Sequence, residues 1–235
     1  MNINYIEKLF NFKDKIILIS GTSGLLGSSL TKLFLDLGSK VIGIDIKKQN
    51  IKHKNFFHLG FDISNEKKVK DSLKKIIKKF KKIDVIINNA GISFFTKFEQ
   101  RTKLEMNKTF NVNIIGTINL CKNYFILHKK LSLKQCKIIN IGSIYGSLSP
   151  DFRIYGKKDN FNSEVYGITK AGVTQLTKYL AAMMASNNIN VNCMSPGGIL
   201  NEKNKQNKKF INKYSKRVPM NRMAKVNDFH TCILF

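Results

Sequence analysis

The apolar run Lys15-Ile16-Ile17-Leu18-Ile19-Ser20 ends on Gly21-Thr22-Ser23-Gly24-Leu25-Leu26-Gly27 and passes at once into helical spacing. No other feature constrains the fold as much. A strand without polar alternation is buried on both faces, so helices must cover both sides of its sheet. After the turn, Leu26, Leu30, Leu33, Phe34 and Leu37 recur at helical intervals, Gly38 closes the helix, and Val41 to Asp45 forms the next strand. Glycines between strand and helix let the backbone turn tightly and approach a pyrophosphate, whose charge the exposed amides and dipole of the helix N-terminus favour. Gly21, Ser23, Gly24, Leu25, Leu26 and Gly27 are therefore the candidate phosphate-binding residues.

The same rhythm runs along the chain. A strand is expected near Phe56 to Phe61, a helix over Glu66 to Phe80 and a strand over Val85 to Ile87. A long helical stretch over Lys103 to His128 and a strand over Ile138 to Ile141 follow. Then come a loop, a helix from Tyr166 to about Ala185, and a strand over Asn190 to Met194. Alternating strands and helices give an α/β chain with a doubly wound parallel sheet, and no repeat or linker divides residues 1–235 into more than a single domain. The last residues, Phe229 to Phe235, read as an apolar helix where such a sheet normally adds one more strand, so the chain reads as truncated before the last strand.

The formal charge of +26 suggests an anionic partner. The excess is nearly all lysine, spread over helix faces as at Lys67, Lys68, Lys74, Lys75, Lys78 and Lys79, and only four arginines are present. Runs of this kind are mostly solvated faces, so no nucleic-acid partner is expected. With 43% hydrophobic residues but no long uncharged apolar stretch, and Glu7 and Lys8 interrupting the first residues, neither a membrane span nor a secretory signal is expected. Cys121, Cys136, Cys193 and Cys232 and the four histidines are scattered, which points to reduced thiols, a cytoplasmic location and no metal site.

Tyr166 and Lys170 stand four residues apart on a helix and project from one face, so an ammonium can sit beside a phenol. A phenol titrating near 10 is a poor base at neutral pH, and bringing it to neutrality takes about 4 kcal/mol of preferential stabilisation of the phenolate. A lysine cation has the right sign. Tyr155 is a poorer candidate because Asp159, not lysine, lies four residues on. Asp45, at the end of the second strand, can accept hydrogen bonds from an adenosine ribose diol and would repel a 2′-phosphate, which favours NAD over NADP; Lys47 and Lys48 nearby leave NADP open.

In order along the chain come the glycine turn, Asn88-Asn89-Ala90-Gly91, Asn113, Ser143, Tyr166-Gly167-Ile168-Thr169-Lys170 and Pro196-Gly197. This array resembles the short-chain dehydrogenase/reductase family in its compact one-domain form, and the resemblance covers essentially the whole chain. It implies a Rossmann fold and an NAD-dependent interconversion of an alcohol and a ketone. In that resemblance Tyr166 exchanges the proton with the substrate oxygen. Lys170 lowers the tyrosine's pKa and holds the nicotinamide ribose, Ser143 positions the substrate oxygen, and Asn113 supports a proton-relay water. Asp62 and Ile63 correspond to adenine contacts, Asn89, Ala90 and Gly91 to the cofactor's ribose segment, and Pro196, Gly197 and Ile199 to the carboxamide end.

Two departures bear on the site. The glycines are spaced GxxGxxG where the compact branch more often shows GxxxGxG, and Ser143 to Tyr166 spans 23 residues, longer than the family usual. The enlarged loop from Ser147 to Glu164 holds Asp151, Arg153, Tyr155, Lys157, Lys158 and Asp159, and its polarity suggests a polar small-molecule substrate such as a sugar, polyol or sugar-derived ketone. With Phe161-Asn162-Ser163 it also resembles a bacterial subgroup tied to surface-glycan and flagellin modification. The alternatives are a catalytically silent NAD-binding or assembly protein, a 3-oxoacyl-type ketoreductase, and a lysine-driven nucleic-acid binder. The opposite face of the Tyr166 helix, with Val173, Leu176, Leu180 and Met183, packs in the family against a second subunit, so a homodimer or homotetramer is expected; the same residues could instead be intrachain core.

Overall fold

A computed structural model describes residues 10–49, 51–156, 161–201 and 206–235. Glu7, Lys8, Lys157, Lys158 and Asp159 lie outside the described residues. Six parallel strands, β1 (Ile16–Ser20), β2 (Lys40–Asp45), β3 (Phe56–Gly60), β4 (Val85–Asn88), β5 (Cys136–Ile141) and β6 (Ile189–Met194), form one sheet in the order β3-β2-β1-β4-β5-β6. The helices are α1 (Leu25–Asp36), α2 (Glu66–Phe80), α3 (Lys103–Phe110), α4 (Gly116–Lys130), α5 (Glu164–Met184), α6 (Lys208–Ser215) and α7 (His230–Leu234).

Because strand side chains alternate, each central strand feeds two cores. Ile16, Leu18, Ile42, Ile44, Ile86 and Ile138 point to the side covered by α2, α4 and α5, where they meet Leu73, Leu120, Tyr124 and Leu180. Ile17, Ile19, Val41, Val85, Ile87 and Ile141 point to the other side, where Leu26, Leu30 and Phe34 of α1 and Ile233 of α7 complete the core. The doubly wound reading of the sequence is thus the architecture found. The chain winds outward from β1 to β3 and then crosses back to lay β4 beside β1, so the crevice at the carboxyl ends of β1 and β4 is the switch point where such sheets hold ligands.

The long helical stretch expected over Lys103 to His128 is found, running through α3, a π-helical turn over Asn111–Ile115 and α4 without a break. One element departs from the sequence reading. Helix α6 was not expected, its lysines and asparagines masking Phe210 and Tyr214, which lie one turn apart on a single face.

Of the two readings of the α5 face, intrachain core is the one found for three of its four residues. Val173 and Leu180 are buried within the chain and Leu176 packs against the same core, leaving Met183 exposed. The apolar residues that α5 shows to solvent are Ile168, Tyr179 and Met183. Among the described residues no helix is long and apolar enough to cross a membrane, and no group of His, Cys, Asp and Glu is placed to hold a metal.

Candidate active site

A cleft of about 1060 Å³ opens over the switch point. At its closed end β1 turns at Gly21, whose φ of 72° suits glycine and whose amide donates to the Ile44 carbonyl at 2.8 Å. Gly27 is a packing glycine, since a Cβ there would lie 2.1 Å from the Gly21 carbonyl oxygen. Gly24 faces open space, with only the Gly21 oxygen at 3.4 Å from its would-be Cβ. It stands at the N-cap of α1, which has no side-chain cap and no acidic residue in its first turn. Uncapped amides at a glycine bend, lining a cleft, make an anion-binding terminus.

Asn89 braces this bend, its side-chain amide donating to the Ser20 and Gly21 carbonyls at 3.0 Å each. Its role is to hold the loop, and Ala90 and Gly91 beside it line the cleft. Asp45 reaches the bend from β2, its carboxylate accepting from the Ser23 and Lys47 amides at 2.8 Å each. Asp62 is exposed and accepts from the Ser64 amide at 2.8 Å, whereas Ile63 is buried against Gly116, although both touch the cleft.

At the other end, Ser143 follows β5 and accepts from the Tyr145 amide at 3.2 Å. Tyr166 and Lys170 rise from α5, whose first turn is capped by the Ser163 hydroxyl accepting from the Tyr166 amide at 3.2 Å. The Lys170 ammonium is 5.7 Å from the centre of the Tyr166 ring and donates to the Ile141 carbonyl at 2.7 Å. Burial pushes the Tyr166 phenol above its ordinary value, and a hydrogen bond with Ser143 pulls it back in part. The Lys170 ammonium gives one of its three hydrogens to Ile141 and keeps two for other partners, and burial brings the amine itself down to about 8.

Asn113 sits in the π turn and does not line the cleft. Its side chain accepts from the Ile92 amide at 2.8 Å and donates to the Ile92 carbonyl and the Thr169 hydroxyl at 3.0 Å each. It ties the segment after β4 to the turn of α5 that carries Lys170, a positioning task. Gly91 fits between, its would-be Cβ 3.4 Å from both the Asn113 Oδ1 and the Lys170 Nζ. Pro196, Gly197 and Ile199 line the remaining wall.

Lys157, Lys158 and Asp159 of the enlarged loop lie outside the described residues; Asp151 pairs with Arg153 and Arg217, and neither Asp151 nor Arg153 lines the cavity. What lines it instead are Tyr145, Tyr155, Phe161, Asn162, Phe210 and Tyr214. Tyr155 stacks on Phe210 with ring centres 5.2 Å apart and shares a 3.0 Å hydrogen bond with the Tyr145 hydroxyl. The Tyr214 hydroxyl accepts from the Gly198 amide. Of these, Tyr145, Phe210 and Tyr214 carried no motif; the single-face spacing of Phe210 and Tyr214 was the available signal.

The short chain dehydrogenase family matches residues 15–212. The chain belongs to that family. It is an oxidoreductase of CH–OH groups. Among solved structures, a short chain dehydrogenase from Leptospira borgpetersenii with bound NAD+ superposes with a TM-score of 0.89 at 38% identity, covering 97% of this chain and 87% of that one. Among curated relatives, the 3-oxoacyl-[acyl-carrier-protein] reductase of Thermotoga maritima is 28% identical over 94% of this chain and 89% of its own length. The NAD-dependent glycerol dehydrogenase of Listeria innocua is 26% identical over 100% of this chain and 91% of its own length.

Proposed function

We propose that this short-chain dehydrogenase uses NAD to interconvert a secondary alcohol and a ketone on a small hydroxylated molecule of the sugar or polyol kind. The observation that carries the reading is the convergence of Ser143, Tyr166 and Lys170 on one cleft over the switch point, with the Lys170 ammonium 5.7 Å from the Tyr166 ring. The cleft fits a dinucleotide. The uncapped start of α1 with Gly24, Leu25 and Leu26 would hold the pyrophosphate, and Asp45 the adenosine ribose, its carboxylate disfavouring a 2′-phosphate. Asp62, Ile63, Ala90, Gly91 and Ile199 would line its length. Bound there, NAD would supply the hydride-transfer chemistry of its nicotinamide.

In this reading Tyr166 exchanges the hydroxyl proton with the substrate oxygen and Ser143 donates to that oxygen, holding it against the phenol. Burial removes competing water from the phenol and also raises its pKa, so the phenolate needs a cation close by. Lys170, held within α5 and charged below about pH 8, is that cation and can also donate to ribose hydroxyls. The hydroxyls of Tyr145 and Tyr155 and the amide of Asn162 give the substrate end partners for a hydroxylated ligand. The glycerol dehydrogenase relative supports this substrate class, and the 3-oxoacyl reductase relative supports a ketoacyl alternative.

The test is nicotinamide absorbance across a panel of sugars, polyols and ketones, with Tyr166→Phe as control. The variant should keep its NAD affinity and lose turnover by about 10² to 10⁴; undiminished turnover would remove Tyr166 from the reaction. Unpaired cysteines fit a reducing cytoplasm, and the exposed Ile168, Tyr179 and Met183 of α5 are proposed to pair copies of the chain, which sedimentation would show.

A further inference from the structure

Beside the reaction end of the cleft lies a second chamber of about 510 Å³. Its walls are mostly apolar, built from Phe98, Leu148, Pro150, Phe152 and Phe161. Phe152 and Phe161 meet edge to face with ring centres 5.2 Å apart, which fixes the shape of one wall. Phe98, Leu148 and Phe152 are 73%, 65% and 57% exposed, so large apolar groups are held in water around a concavity. Such clusters mark a surface that something covers.

Three residues, Tyr145, Phe161 and Asn162, line both this chamber and the cleft, so the two spaces share a wall. Tyr145 stands two residues beyond Ser143. On the far side the chamber is bounded by Ser163, Glu164 and Gly167, the first turn of α5, which also carries Tyr166. Glu164 is engaged by Arg101 at 3.2 Å. The chamber therefore abuts the reacting groups while its own surface is mostly apolar, with Lys97, Glu99 and Glu164 also along it.

We propose that this chamber takes an apolar arm of the substrate, so that the molecule has a polar carbinol or ketone end at Ser143 and Tyr166 and an unbranched hydrocarbon arm passing Tyr145 and Phe161. The proposal rests on the oxidoreductase reading and, within it, favours a hydroxyketone with a hydrocarbon arm over a molecule hydroxylated along its whole length. The place of the chamber against the cleft, across the wall of Tyr145, Phe161 and Asn162, favours an arm of the substrate over a second copy of the chain, whose flat helix face would not enter a concavity.

The probes are 1-hydroxy-2-alkanones of about four to ten carbons, reduced with NADH. Each buried methylene contributes ~0.8 kcal/mol, so kcat/KM should rise about fourfold per added carbon and then level off when the chamber is full. Leu148→Asp and Phe152→Asp, both at exposed positions, should flatten that slope and leave the shortest ketone unaffected. Calorimetric binding of the same ketones to the protein loaded with oxidised NAD, or to the protein alone should NAD not bind, reads the slope without turnover. A chain-length slope in binding with no reduction would uphold the chamber and overturn the oxidoreductase reading. Reduction with a flat series, a slope that both variants leave intact, or a Leu148→Asp protein that changes its oligomeric state and keeps the slope would each overturn the chamber.

Discussion

Gly27→Ala is the sharpest test of how the glycine bend is built. The added methyl would sit 2.1 Å from the Gly21 oxygen, 2.9 Å from the Gly21 carbonyl carbon and 2.7 Å from the Asn89 side-chain nitrogen. Two of those atoms are backbone, so the loop or the helix must move. The move cannot be small, because Asn89 anchors the same loop through two 3.0 Å hydrogen bonds. Overpacking costs ~1–3 kcal/mol and each displaced hydrogen bond about 1 more, so the expected loss is about 3–5 kcal/mol, or roughly 10 °C in Tm for a domain of this size. The control is Gly24→Ala, whose methyl meets only one atom at 3.4 Å and which should cost about 1 kcal/mol as a weaker N-cap. Its effect should fall on the ligand, since the methyl enters the space where a phosphate would approach. Thermal unfolding by circular dichroism and titration with NADH should therefore separate the two, with Gly27→Ala losing both stability and affinity and Gly24→Ala losing affinity first. A Gly27→Ala protein that melts within about 2 °C of the native chain and binds NADH equally well would refute the packing argument.

Lys170 should make stability depend on pH in an unusual window. Its folded value of about 8 lies below the 10.5 of a free lysine, so between those values the unfolded chain binds the extra proton and the folded state gains ~1.4 kcal/mol per pH unit. Urea unfolding of the native chain and Lys170→Met at pH 7.5, 8.5 and 9.5 should show the native chain gaining on the variant as pH rises; a constant difference would mean the buried amine is not the titrating group. Arg101 has a side chain only 4% exposed, paired with Glu164 two residues before Tyr166. Because Glu164 is a third exposed and water can take it up, Arg101→Met should cost about 1–3 kcal/mol, less than breaking a fully buried pair. It should lower kcat while leaving NADH affinity unchanged, and a loss confined to affinity would place Arg101 elsewhere in the mechanism.

The amino-acid sequence alone determined the alternation of strands and helices, the bend at Gly21 to Gly27, and the one-face pairing of Tyr166 with Lys170, whereas Ser143 was legible only through the family resemblance. The first three are local, because burial on two faces, a tight turn and a one-turn helical spacing each leave a mark within a few neighbours. The tertiary structure decided what depends on partners distant along the chain. Asn113 turned out to clamp Ile92 to Thr169 across a π turn, and Lys170 to donate to the Ile141 carbonyl, both outcomes of contacts between separate elements. In the loop before Tyr166, Asp151 finds Arg217 from much later in the chain and Tyr155 stacks on Phe210. A side chain's type is written in the sequence; which way it faces is settled by what the rest of the fold brings next to it.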